Sequence, residues 1–196
     1  ILSMAHVDTL CAVVAEIKSN GRLRLSPVGG FNANNAEAHN CRVYTYDGQI
    51  YEGTIQLADA SLHVNKEYST TQRTFQSVEV VLDEPVTSKD DVKALGITNG
   101  CFVCADPNLV VTNSGYIKSR FLDDKLSAAI LLGYAKYIRE NNITPLRKVY
   151  QHMTVFEEVG HGACASIPED VTELLSVDMG CVGDGLECTE RQVSIC

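Results

Sequence analysis

The stretch Ser119-Arg120-Phe121-Leu122-Asp123-Asp124-Lys125, running on into Leu126, Ile130, Tyr134, Tyr137 and Ile138, decides how this chain is organised. From Lys125 to Asn141 the large apolar residues recur at helical spacing, with Asp123 and Asp124 at the positive N-terminal end of that helix. Beyond it the pattern is β/α. Arg147 to Phe156 reads as a strand, Gly162 to Ile167 as a short helix or turn, and Leu174 to Val177 as a second, buried strand. Before it, residues 21–113 alternate short Val-, Tyr-, Thr- and Ile-rich segments with the turn signals Ser19-Asn20-Gly21, Pro27-Val28-Gly29-Gly30 and Asp47-Gly48. Arg42 to Tyr46 and Gln49 to Glu52 flank Asp47-Gly48, a strong hairpin signal. Ser88 caps one short helix that runs to Leu95 and stops at Gly96. Residues 1–18 give an apolar strand, a break at His6 to Thr9, then Cys11 to Ile17.

The expected fold is therefore α/β. A partial mixed-sheet domain is built from residues 1–20 and 114–196, with an inserted β-barrel-like domain over residues 21–113. The chain opens on Ile1-Leu2-Ser3 and closes on Val193-Ser194-Ile195-Cys196, both strand-like, so it reads as cut at both ends.

Composition narrows the function. Of 196 residues, 45% are hydrophobic, enough to bury a core. The 25 acidic residues outweigh 16 basic ones, for a net charge of -9. No Lys/Arg cluster could track a phosphate backbone, which argues against nucleic acid, and no apolar run is long enough to span a membrane. No secretory leader is legible in residues 1–15, so a cytoplasmic chain is expected. Excess carboxylate suits divalent cations and amine-bearing substrates. The eight cysteines include one close pair, Cys101 and Cys104, with no second pair or His pair beside it. The expectation is reduced, mostly buried thiols rather than zinc or disulfide chemistry.

Four clusters place acids or an imidazole where an apolar segment stops: Ala5-His6-Val7-Asp8, Leu122-Asp123-Asp124-Lys125, Val155-Phe156-Glu157-Glu158-Val159-Gly160 and Leu174 to Gly180 around Asp178. In open α/β sheets that edge is where ligands bind. His6 and Asp8 share a face of an extended chain, and a neutral His is commonly oriented by a carboxylate. Extended alternation sends Glu157 and Glu158 to opposite sides, so that one can bind metal while the other stays free as a base. Each cluster alone has a bland reading: a turn Asp, a helix N-cap with a first-turn acid, or a loop-starting Asp. Together they form the parts of a carboxylate-bridged pair of cations roughly 3.5–4 Å apart.

With Val28-Gly29-Gly30, Ser119 to Lys125, Phe156 to Gly160, Ser176-Val177-Asp178 and Gly183-Asp184-Gly185 in this order, the chain resembles the glutamyl/tetrahedral (deblocking) aminopeptidases, two-metal metallopeptidases with a phosphorylase/hydrolase-like catalytic domain. The resemblance covers essentially the whole chain. It implies that His6, Asp123 and Asp178 bind one metal, with Asp123 bridging to a second held by Glu158. It further implies that Asp8 orients His6, that Glu157 is the general base, and that the Asp123–Asp124 peptide is cis. The implied cofactors are two divalent ions, zinc first, with cobalt or manganese as alternatives. The implied partners are short peptides, and other copies of the chain through residues 21–113, as in the family's dimers and dodecamers. The family's second His ligand has no counterpart here, which raises an inactive portion or assembly module as the alternative; His161 is the nearest substitute. A carboxypeptidase or dipeptidase is a minor alternative, and an endoglucanase a remoter one, because the carboxylates look like ligands.

Overall fold

The computed structural model describes residues 1–195. In chain order the strands are β1 (Leu2–His6), β2 (Cys11–Ile17), β3 (Leu23–Val28), β4 (His39–Tyr44), β5 (Ile50–Leu57), β6 (Val78–Leu82), β7 (Phe102–Ala105), β8 (Val110–Val111), β9 (Ile117–Lys118), β10 (Tyr150–Thr154) and β11 (Leu174–Ser176). The helices are α1 (Lys89–Ala94) and α2 (Leu122–Glu140). The chain divides into two compact units. One joins Ile1–Thr9 to the chain from Arg120 onward, and the other is Leu10–Ser119.

In the second unit six strands close into a barrel, in the order β2-β3-β6-β5-β4-β7. Alternation builds it: in β4, Cys41 and Val43 point inward while Asn40, Arg42 and Tyr44 point out. Val14, Leu23, Leu25, Val43, Ile55, Val80 and Val103 fill the interior. The β4–β5 ladder runs to the Tyr44–Ile50 pair, and the Thr45 N–H donates to the Gln49 carbonyl (3.0 Å) across the Asp47-Gly48 turn. The expected helix is α1, closed at its N-terminus by a capping box between Ser88 and Asp91. Residues 10–20 also join the barrel, since β2 pairs with β3 and β7. An apolar run reports that it is a strand but not which sheet supplies its partner.

The first unit holds a parallel sheet in the order β10-β1-β11. Helix α2 covers it with Asp124, Ser127, Ala128 and Leu131, spaced i, i+3, i+4, i+7. Ala5, Ala128 and Leu131 form the core there, with Val7, Met153 and Val177 packed against it.

Several expectations are corrected in this unit. The helical stripe of Leu126, Ile130, Tyr134 and Tyr137 is exposed, because the face that meets β1 is the one whose small Ser and Ala side chains allow close approach. The strand at Leu174 is exposed rather than buried: β11 is a sheet edge paired on one side only. Val193 to Ile195 form no strand, and Cys196 lies outside the described residues. No helix among the described residues is long and apolar enough to cross a membrane. Among the described residues seven cysteines form no disulfide, and three of them are buried in the barrel unit.

Candidate metal centre

Parallel strands bring their C-terminal ends to one edge, and that edge collects the acids. His6 is the last residue of β1 and stands beside Thr154 of β10. Ser176 of β11 stands beside Met4, and the Val177 N–H continues the ladder to the Met4 carbonyl (2.9 Å), which delivers Asp178 to the same edge. Asp123 arrives from the start of α2. The chain enters that helix through Phe121 at φ 62°, and neither Asp123 nor Asp124 has helical dihedrals, so neither acid sits in a regular first turn. The Asp123–Asp124 peptide is cis.

His6 is buried, and both ring nitrogens and the backbone N–H meet an acid. Its Nε2 lies 3.1 Å from Asp123 Oδ1 and 3.5 Å from Glu157 Oε2. Its Nδ1 lies 3.3 Å from Asp8 Oδ1 and 3.2 Å from the Asp8 carbonyl oxygen. Its backbone N–H donates to Asp124 Oδ2 (3.2 Å). His6, Asp123 and Asp178 each offer one ligand atom within 4.8 Å of the others, and they are the one such group among the described residues.

The Glu pair is not extended. Glu157 to Val159 form a 3-10 turn entered through Phe156 at φ 73°, so the two side chains are separated by a helical turn rather than by strand alternation. Asp8 holds this turn: its Oδ1 accepts the Glu157 N–H (3.3 Å) and its Oδ2 the Glu158 N–H (3.2 Å). Gly162 closes the return at φ +94°, where an added Cβ would stand 2.0 Å from the Val155 carbonyl oxygen. His161 belongs to this return, donating its backbone N–H to Phe156 O (2.8 Å), and is not part of the three-residue cluster.

The electrostatics are those of crowded carboxylates. Burial alone would lower the His6 pKa, but the hydrogen bond to Asp123 and the charges of Glu157, Asp178 and Asp8 outweigh it, and the pKa is raised. Burial, and then the Asp123 charge, push Glu158 above the usual carboxylate range. Burial also raises Asp124. A divalent cation would relieve this repulsion, and one imidazole with two carboxylates suits zinc, cobalt or manganese. The donor set of His6, Asp123 and Asp178 therefore fits a metal.

Beside the cluster lies a cavity of about 630 Å³, with Asp123 and Asp178 in its wall and Leu126, Ile130, Met179 and Val182 among its apolar lining. The sequence names Asp124 but gives it no role of its own, and it gives no sign of the cavity.

Known proteins resemble this chain along its length. The model of the M42 glutamyl aminopeptidases matches residues 1–196. The putative aminopeptidase YhfE of Bacillus subtilis is 43% identical over 192 residues, covering 98% of this chain and 56% of that protein. Among solved structures, an aminopeptidase from Desulfurococcus kamchatkensis superposes with a TM-score of 0.76 at 24% identity, over 97% of this chain and 50% of that one. The Pyrococcus horikoshii TET1 peptidase, described as assembling into a tetrahedron or a large octahedral shell, gives 0.66 at 27% identity, over 81% and 46%. The chain spans about half the length of these relatives. With the whole chain matched, it belongs to the M42 glutamyl aminopeptidase family.

Proposed function

We propose that this chain carries the metal-binding and proton-transfer residues of an aminopeptidase that releases N-terminal amino acids from short peptides. The observation that carries this reading is the meeting of His6, Asp123 and Asp178 within 4.8 Å, with Glu157 3.5 Å from the same imidazole nitrogen. His6, Asp123 and Asp178 would hold one ion, and Asp123 with Glu158 would contribute to a second. Bound divalent ions supply Lewis-acid polarisation of a carbonyl and an acidified water.

The remaining work falls to the chain's own residues. With an ion in place, Asp8, 3.3 Å from His6 Nδ1, would accept the Nδ1–H and leave the Nε2 lone pair for the metal. Glu157 takes the proton of the attacking water on its carboxylate and returns it to the departing amine. Its carboxylate is half exposed at the sheet edge, so it is open to substrate. Leu126, Ile130 and Val182 give the cavity beside Asp123 and Asp178 an apolar wall. The barrel unit, in the reading that residues 21–113 form an inserted self-association domain, would pair copies of the chain. Free thiols at seven positions fit a reducing compartment such as the cytoplasm.

The test is metal content after dialysis, measured with hydrolysis of aminoacyl p-nitroanilides. Release of amino acid that stops with chelator and returns with zinc, cobalt or manganese supports the reading. Chelator-insensitive turnover, or none with metal bound, overturns it. One observation favours the second reading, an assembly module without turnover: the described cluster contains one imidazole, where two full sites would want more. One ion bound per chain with no hydrolysis would select it.

A further inference from the structure

We infer that Asp124 is a positioning residue: its carboxylate grips the backbone N–H of His6 and so sets where the imidazole stands relative to Asp123. This rests on the metal-site reading above. The adjacent acids Asp123 and Asp124 take opposite ends of one residue. Asp123 Oδ1 meets the His6 ring at 3.1 Å, while Asp124 Oδ2 meets the His6 amide at 3.2 Å. His6 sits at the end of β1, still beside Thr154 of β10 but past the last β1–β11 pair, Met4 with Ser176. Removing Asp124 takes away the acceptor of this buried N–H, and a buried unpaired donor is costly.

Asp124 suits this task better than metal binding. It is buried, with 2% relative exposure, while Asp123 is exposed. It lies on the α2 face that packs on the sheet, in the i, i+3, i+4, i+7 series with Ser127, Ala128 and Leu131. Ser127, one turn on and buried on the same face, supplies the side-chain hydrogen bond that lowers the Asp124 pKa against the rise from burial. The helix that carries Asp123 and the strand that carries His6 are thereby tied by a second, metal-independent bond. Two ligands arriving from different elements then keep their separation before any ion enters, which is the preorganisation that ligand-orienting residues provide.

The experiment compares wild type, Asp124→Ala, Asp124→Asn and Ser127→Ala by titration with cobalt(II), reading dissociation constant and visible absorption, with urea unfolding in parallel. Asn keeps an acceptor for the His6 N–H and can still pair with the Ser127 hydroxyl. The expected result is about 10–100-fold weaker cobalt binding with an altered spectrum in Asp124→Ala, near-complete rescue in Asp124→Asn, and a smaller loss in Ser127→Ala. If Asp124→Ala fails to fold, Ser127→Ala and Asp124→Asn carry the comparison. Wild-type binding and spectrum in both Asp124→Ala and Ser127→Ala would overturn the inference, as would equal weakening by Asn and Ala. A wild-type protein that binds no cobalt would overturn the metal reading itself, an outcome separate from these.

Discussion

Asp8 Oδ2 accepts the backbone N–H of Glu158 at 3.2 Å, although 150 residues separate them in the chain. The other oxygen takes the Glu157 N–H at 3.3 Å and stands 3.3 Å from His6 Nδ1. One carboxylate thus ties the imidazole to the turn that carries both glutamates. Asp8→Ala removes all three contacts at once. The expected result is metal binding weakened by about 10–100-fold together with loss of hydrolysis, measured by zinc titration and p-nitroanilide release. Asp8→Asn, with one acceptor left, should fall between.

Glu157→Gln tests the proton-transfer role apart from binding. Gln keeps the size and the backbone N–H to Asp8 but cannot take a proton. Metal content should stay at the wild-type level while kcat falls by about 10²–10⁴-fold. Loss of metal with activity would move Glu157 into the ligand set instead.

Gly162→Ala should disturb the turn beside the glutamates. A Cβ there meets the Val155 carbonyl at 2.0 Å, and the residue sits at φ +94°. A penalty of about 1–3 kcal/mol is expected for forcing that backbone to change. The change should appear as a lower unfolding midpoint in the unit containing the sheet, with weaker metal binding. Gly133→Ala, on α2 with open space around it, is the control.

The barrel contains a buried acid unrelated to catalysis. Glu79 is 2% exposed and accepts from Lys18 Nζ (2.7 Å) and Arg22 Nη1 (2.5 Å). Burial pushes its carboxyl up, but the hydrogen bonds from Arg22 and Lys18 outweigh it, and the pKa is lowered. A depressed folded pKa means that this contribution is present above the unfolded carboxylate value and is lost as pH falls through the folded one. Glu79→Gln should therefore cost stability at pH 7, and the difference from wild type should shrink below about pH 4 in urea unfolding. Both cations are more than a third exposed, so the loss is expected near about 1–2 kcal/mol rather than the larger cost of a fully desolvated pair.

Local chemistry is what the sequence displays well. The Asp47-Gly48 hairpin and the Ser88 capping box are legible because turn and cap residues act within a few positions of themselves. The four acidic clusters are legible as strand-end features for the same reason. Less legible is which face of α2 is buried. Hydrophobicity selects Leu126, Ile130, Tyr134 and Tyr137, yet the sheet meets Ser127, Ala128 and Leu131, since close helix–sheet approach favours small side chains. The geometry of Glu157 and Glu158 is also hidden. Their placement depends on a 3-10 turn anchored by Asp8, a contact that strand alternation does not encode.

The sequence by itself determined the residue types and their order: an imidazole and acids at strand ends, a β-rich stretch before an α/β one, and a composition that suits cations. These follow from periodicity and turn chemistry, which are short-ranged. Tertiary structure alone decided that β1, β10 and β11 are neighbours, and hence that His6, Asp123 and Asp178 meet. It also decided that Asp124 serves the His6 backbone while Asp123 faces the site. Strand pairing between residues more than a hundred positions apart is set by which burial and hydrogen-bond pattern the whole chain can satisfy at once, and no local stretch carries that information.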